Sequence, residues 1–229
     1  METSKKGFRY LKATSDVGIK YSTNKEMKIE SYSDADFANC KETRKSRTGI
    51  IVNLANAPIM WLSKRQPITA LSTVESEYIA GSATTQETIY AKSVLEELGV
   101  YIQTPIQYMD NQGSIAISEN PVHQGRTKHI DVRYHYIREK VSEGKIKIAY
   151  VSSENQKADF LTKVLPENTF MNQLKLNNII SNPISQKKII KLRGSVGDVG
   201  DDVDKTIGSN LNDGTKDNQG RLKRGRNHK

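Results

Sequence analysis

One cysteine, Cys40, stands in 229 residues, so no disulfide can form within the chain and a cysteine-built zinc site is excluded. That count suits a reducing compartment, and a soluble intracellular protein is expected. No apolar run approaches the roughly 20 residues that a membrane-spanning helix needs. The opening Met1-Glu-Thr-Ser-Lys-Lys-Gly7 has no hydrophobic core of the kind a secretory signal carries. Apolar residues are also scarce, at 35% of the chain, which implies that part of the length stays outside any packed core.

Basic charge, by contrast, is in surplus and unevenly placed. The formal charge is +9; residues 1–177 hold 24 Lys and Arg against 20 Asp and Glu, and residues 178–229 hold 11 against 6. A surplus of this sign favours polyanionic partners through counterion release.

Hydrophobic periodicity divides the chain into three parts. Residues 1–26 read as an extension. Residues 27–180 alternate strand and helix signals, and residues 181–229, dominated by Gly, Asp, Asn and Ser and closed by a basic cluster, read as a disordered tail. A strand is expected from Met27 to Asp34, a second at Thr48–Leu54 and a third at Ile59–Ser63, with short connections that make an antiparallel meander. Ser72 and Thr73 are good N-caps for a helix from Val74 to Leu98, with Tyr90, Val94, Leu95 and Leu98 at helical spacing and Gly99 as its stop. A fourth strand over Pro105–Met109 leads to Asp110 and a short helix over Gly113–Ser118. Ile130, Tyr134, Ile137 and Val141 make a helical stripe, a fifth strand covers Ile146–Tyr150, and helices are expected over Glu154–Lys163 and Glu167–Asn178. The expectation is therefore an α/β fold, a mixed five-stranded sheet whose first three strands are antiparallel, flanked by helices. Met60 and Trp61 are expected in its core.

Four acidic segments punctuate this pattern: Asp34 within Ile29–Phe37, the pair Glu75 and Glu77 within Val74–Ala80, Asp110 within Tyr108–Gln112, and Asp159 within Gln156–Leu161. Each acid sits beside apolar residues at the start or end of a predicted element. Carboxylates set in such frames cost desolvation energy unless a cation compensates them. A pair of Mg²⁺ ions suits the need, being hard cations that take oxygen ligands and keep waters.

Five motifs stand in order: Tyr32-Ser-Asp-Ala-Asp-Phe-Ala38, Leu71-Ser-Thr-Val-Glu-Ser-Glu-Tyr-Ile-Ala80, Asp110-Asn-Gln112, Arg126-Thr-Lys-His-Ile-Asp131 and Ala158-Asp-Phe-Leu-Thr-Lys163. Together they resemble the ribonuclease H domain that closes the Pol polyprotein of Ty/copia-type LTR retrotransposons, over about Arg9 to Lys175. The resemblance implies a ribonuclease H-like fold and hydrolysis of the RNA strand of an RNA–DNA hybrid during reverse transcription. It implies four catalytic, metal-holding carboxylates, Asp34, Glu77, Asp110 and Asp159, with two Mg²⁺ ions that Mn²⁺ can replace. Glu77 is preferred to Glu75 because Glu77-Tyr-Ile-Ala80 fits the wider superfamily's frame, and two residues apart on a helix the two acids point roughly 160–200° from each other. Asp36 is set aside on family pattern. Ser72, Thr73, Gln112, Arg126 and Lys128 are candidates for binding the hybrid, with Arg44, Lys45 and Arg47 as further phosphate contacts.

The polymerase domain of the same polyprotein, the usual partner, is absent from this sequence. A truncated, non-catalytic remnant that at most binds nucleic acid is therefore the alternative. An integrase of the same fold is disfavoured by the acid order Asp, Glu, Asp, Asp. The related cellular enzymes carry a histidine-bearing loop before the last acid; here Val151–Asp159 is too short and has none. His129 and His135 are read as structural or phosphate neighbours.

Overall fold

The structure, a computed structural model, describes residues 2–119 and 136–181. The stripe residues Ile130 and Tyr134, the candidates Arg126, Lys128, His129 and His135, and residues 182–229 lie outside the described residues. Residues 1–15 fall in a unit separate from Asp16–Asn182 and carry one helix, α1 (Glu2–Ala13). Among the described residues no helix is long and apolar enough to cross a membrane.

In the larger unit, strands β2 (Ile29–Asp36), β3 (Arg47–Leu54), β4 (Ala57–Arg65), β5 (Ile106–Met109) and β6 (Lys147–Tyr150) form one sheet in the order β4-β3-β2-β5-β6. β2, β3 and β4 pair antiparallel with one another, whereas β5 runs parallel to β2 and β6 parallel to β5. This is the mixed five-stranded sheet, first three strands antiparallel, that the sequence leads one to expect. A further two-residue ladder pairs β1 (Gly18–Ile19) with β7 (Ile179–Ile180), so the compact unit begins before Met27. Strands of two residues carry no alternation to read.

β2 is central and buried on both faces from Ile29 to Asp34. On one face Ile29 packs with Ile50, Val52, Ala91 and Ile102; on the other Tyr32 packs with Ile51 and Ala158. The β3–β4 hairpin closes through Ala55 and Asn56, both at positive φ (50° and 67°), the conformation a two-residue turn matched to strand twist requires. The turn is held from outside: Lys157 donates to Asn56 Oδ1 at 2.7 Å and Asn178 Nδ2 donates to Asn56 O at 2.7 Å. Trp61, expected in the core, is 60% exposed, because β4 is the sheet's edge and its residues from Leu62 onward face solvent.

Helix α2 (Thr73–Glu97) lies against β2, β3 and β5. Its buried face is not the Tyr90, Val94 and Leu98 stripe, which is largely exposed, but a run of small and hydroxylated residues including Ala80, Gly81, Thr84, Thr85 and Thr88. Small side chains let helix and sheet approach closely. A Cβ on Gly81 would come within 2.8 Å of Met109 Cε. Thr84 and Thr88 bond back to carbonyls one turn earlier, so their buried hydroxyls are satisfied. Helix α3 (Gln112–Glu119) follows β5, residues 136–142 are helical, and α4 (Glu167–Leu176) follows a proline.

The segment Glu154–Lys163 departs from the single helix expected of it. It forms two short 3₁₀ turns, Ser153–Asn155 and Asp159–Leu161. Side chains of α4 and its C-terminus compete for the backbone there. Gln173 Nε2 donates to Gln156 O at 2.9 Å and Asn177 Nδ2 to Lys157 O at 3.2 Å, the carbonyls an α-helix would have used internally. Gln156 Nε2 in turn donates to Ser33 O at 2.9 Å, fastening the segment to β2.

Candidate metal centre

Because β2 and β5 are parallel, the last residues of both lie on one edge of the sheet, where open α/β sheets place their ligands. Asp34, near the end of β2, and Asp110, directly after β5, meet there. α2 brings Glu77, its fifth residue, to the same place. One oxygen from each of Asp34, Glu77 and Asp110 lies within 4.8 Å of the others. Asp34 and Glu77 are buried and Asp110 is half-buried.

Each acid of this cluster is held by a different element. The Thr162 hydroxyl donates to Asp34 Oδ2. Ala35 N donates to Glu77 Oε1 at 3.2 Å, and Ser153 Oγ donates to Asp110 Oδ2 at 3.1 Å. Glu77 Oε2 is buried without a hydrogen-bond partner. Burial pushes the Glu77 carboxyl up to about 9, and the charges of Asp34 and Asp110 push the same way. Asp34 is raised to about 6, chiefly by burial; the Thr162 hydroxyl and Lys163 oppose this, and the Asp159 and Asp110 charges add to it. A buried carboxylate oxygen with no donor, ringed by two further carboxylates, is satisfied by a proton or by a cation. The donor set is all oxygen and all anionic, which fits a hard divalent ion such as Mg²⁺ or Mn²⁺.

The fourth acid named from sequence, Asp159, lies outside this three-oxygen cluster. It is buried, near enough to raise Asp34, and its Oδ1 pairs with Lys163 Nζ at 2.6 Å. Glu75 does different work from Glu77. Its N–H donates to the Ser72 hydroxyl at 3.1 Å, and its Oε2 accepts from Leu71 N at 2.7 Å, a reciprocal cap on α2. Asp36 is half-buried, accepts from Asn39, and pairs across the ladder with Arg47.

Of the hybrid-binding candidates, Ser72 is the N-cap of α2, Thr73 its first residue and Gln112 the first residue of α3; all three are exposed. Arg44 is exposed at positive φ, and Lys45 donates to Pro67 O at 2.6 Å. Sequence reasoning missed Ser153, Thr162, Lys163 and Gly49. The first three hold or neutralise acids, and Gly49 makes room for the turn that carries two of them. Thr162 and Lys163 stand three and four residues after Asp159, the spacing at which local side chains meet; Ser153 and Gly49 carry no such signal.

Fold and geometry thus define a mixed α/β domain with a buried carboxylate site at the C-terminal ends of its parallel strands. Its sequence relatives agree on lineage. Over 162 residues the chain is 41% identical to the retrovirus-related Pol polyprotein from transposon TNT 1-94 of Nicotiana tabacum, covering 71% of this chain and 12% of the relative. Over 173 residues it is 38% identical to the corresponding polyprotein from transposon RE1 of Arabidopsis thaliana, covering 75% and 12%. The chain is a homologue of a segment of retrotransposon Pol polyproteins and spans about an eighth of their length. No family model matches it. Among solved structures, LC11-RNase H1, isolated from compost by a metagenomic approach, is similar with a TM-score of 0.44 and 14% identity, covering 60% of this chain and 94% of that one.

Proposed function

We propose that this domain is a ribonuclease H that hydrolyses the RNA strand of an RNA–DNA hybrid with the help of divalent metal, Mg²⁺ or Mn²⁺. The observation that carries the reading is the convergence of Asp34, Glu77 and Asp110, from three elements distant in sequence, around a buried Glu77 oxygen that has no donor. The lineage and the five ordered motifs support it.

A phosphodiester resists attack because the incoming oxygen adds negative charge to an anion. A divalent ion held by Asp34, Glu77 and Asp110 would supply the positive charge that the transition state needs and would polarise the attacking water. The chain's own residues prepare for that. Thr162, Ala35 N and Ser153 each fix one oxygen of a carboxylate. Fixed orientation matters because a ligand set that must reorganise loses the advantage of proximity. Ser72, Thr73 and Gln112, exposed at the starts of α2 and α3, are assigned to the hybrid's backbone and 2′-hydroxyls. Arg44, Lys45 and Arg47, in and just after the loop that follows β2, are assigned to phosphates, whose contacts hold register without reading sequence. In a longer polyprotein a polymerase domain would supply the hybrid.

The test is cleavage of a 5′-labelled RNA–DNA hybrid by the purified chain with Mg²⁺, Mn²⁺ or EDTA. Metal-dependent fragments from the RNA strand, and none from single-stranded RNA, are expected. Binding without cleavage under every metal condition would select the non-catalytic reading.

A further inference from the structure

Two cations are usually invoked to balance four carboxylates, yet here one of the four already has a cation of the chain's own. Lys163 Nζ lies 2.6 Å from Asp159 Oδ1, four residues on, with the Asp159 side chain buried and that of Lys163 half-exposed. The neighbouring Thr162 takes Asp34 Oδ2. Asp34 and Asp159 thus each have an oxygen engaged by the same dipeptide. Asp159 also stands apart from the three oxygens that converge.

The turn packs closely against β3. Gly49, paired with Asp34 across the β2–β3 ladder, leaves the space it fills: a Cβ there would meet Thr162 Cγ2 at 2.7 Å and Ala158 O at 2.9 Å.

We propose that Lys163 is a resident cation of the acidic site. The chain would then take one divalent ion in the Asp34–Glu77–Asp110 cluster, and a second that uses Asp159 only by displacing the Lys163 ammonium. The inference rests on the metal-dependent reading above. It makes Lys163 a positioning residue that sets metal stoichiometry, and it assigns Asp159 to that lysine in the resting state.

Titration of the full chain with Mn²⁺, followed by calorimetry and by the electron paramagnetic resonance signal of free Mn²⁺, reads the number of ions and their affinities without any substrate. The wild type is expected to show one ion well ahead of a second. Removing a unit charge a few ångströms from the second position strengthens that step, so Lys163→Met tightens it by about tenfold, while Lys163→Arg keeps the wild-type pattern. Lys163→Gln is measured beside them, and circular dichroism identifies any variant that has lost its fold. An exposed i,i+4 ion pair of no consequence to the site would leave both steps unchanged in Lys163→Met and Lys163→Gln, and that result overturns the inference. Two ions of equal strength in the wild type overturn it too, with the metal site intact. A wild type that binds no Mn²⁺ overturns the metal-dependent reading and this inference with it.

Discussion

Asp34 and Gly49 face each other across the β2–β3 ladder, and the missing side chain of one makes room for the group that holds the other. A Cβ at position 49 would come within 2.7 Å of Cγ2 of Thr162, which donates to Asp34. Gly49→Ala should therefore displace the 158–162 turn, lower stability by about 1–3 kcal/mol, and reduce cleavage per folded molecule. Thermal melts and hybrid cleavage by the variant test this. Wild-type values for both would show that the turn gives way without consequence.

Asp110→Asn is expected to abolish cleavage with a thermal midpoint unchanged or raised. Like charges in one site destabilise each other when no cation is present, and Asp110 contributes to raising both Asp34 and Glu77. The Ser153 hydroxyl can still donate to the amide oxygen. A variant that unfolds while its folded fraction cleaves normally would make Asp110 structural.

The two glutamates of α2 should separate by kind of defect. Glu77→Gln is expected to remove metal binding and cleavage with little loss of stability. Glu75→Gln should keep cleavage and lose about 0.5–1 kcal/mol, since an amide oxygen is a weaker acceptor for Leu71 N in the cap. Paired measurement of Mn²⁺ binding and urea midpoints distinguishes them, and greater loss of binding in Glu75→Gln would exchange their roles.

Much of this is legible in the sequence because it follows from period. Short apolar and β-branched runs bounded by turn residues mark β2 to β6, and the change to helical spacing after Ser72 marks α2. Helix geometry puts Glu75 and Glu77, two residues apart on a coil of 3.6, on different faces, and the resemblance chooses Glu77. What stays hidden depends on contacts across long sequence distances. The helix expected over Glu154–Lys163 is broken by Gln173 and Asn177, whose claims on the carbonyls of residues 156 and 157 no local pattern reveals. The buried face of α2 escapes the periodic pattern for a related reason: close packing on Met109 favours Gly81 and threonines over the larger residues at its end. The strength of the Asp159–Lys163 pairing likewise depends on the burial of Asp159, which composition does not show.

The acid cluster also fixes how stability depends on pH without metal. Asp34 is raised from 3.8 to about 6 and Glu77 from 4.5 to about 9, in both cases chiefly by burial. Between the unfolded and folded values the folded state binds more protons than the unfolded state, so stability falls as pH rises. Nothing is lost below about pH 4, where these carboxyls are protonated in both states. The loss accumulates through pH 6 for Asp34 and continues toward pH 9 for Glu77. A tenfold difference in proton affinity between folded and unfolded states corresponds to about 1.4 kcal/mol, so a loss of at least about 1 kcal/mol between pH 5 and 8 is expected in EDTA. Saturating Mg²⁺ should shrink it, because a cation replaces the proton as the partner of Glu77 Oε2. Other groups titrate over this range, and Glu77→Gln isolates the site: its metal-free stability should fall less steeply with pH than that of the wild type. Urea unfolding at half-unit pH intervals, in EDTA and in Mg²⁺ at constant ionic strength, makes the comparison. Parallel curves for variant and wild type would mean that Glu77 carries its charge in the folded protein at no cost, leaving the site without its need for a cation.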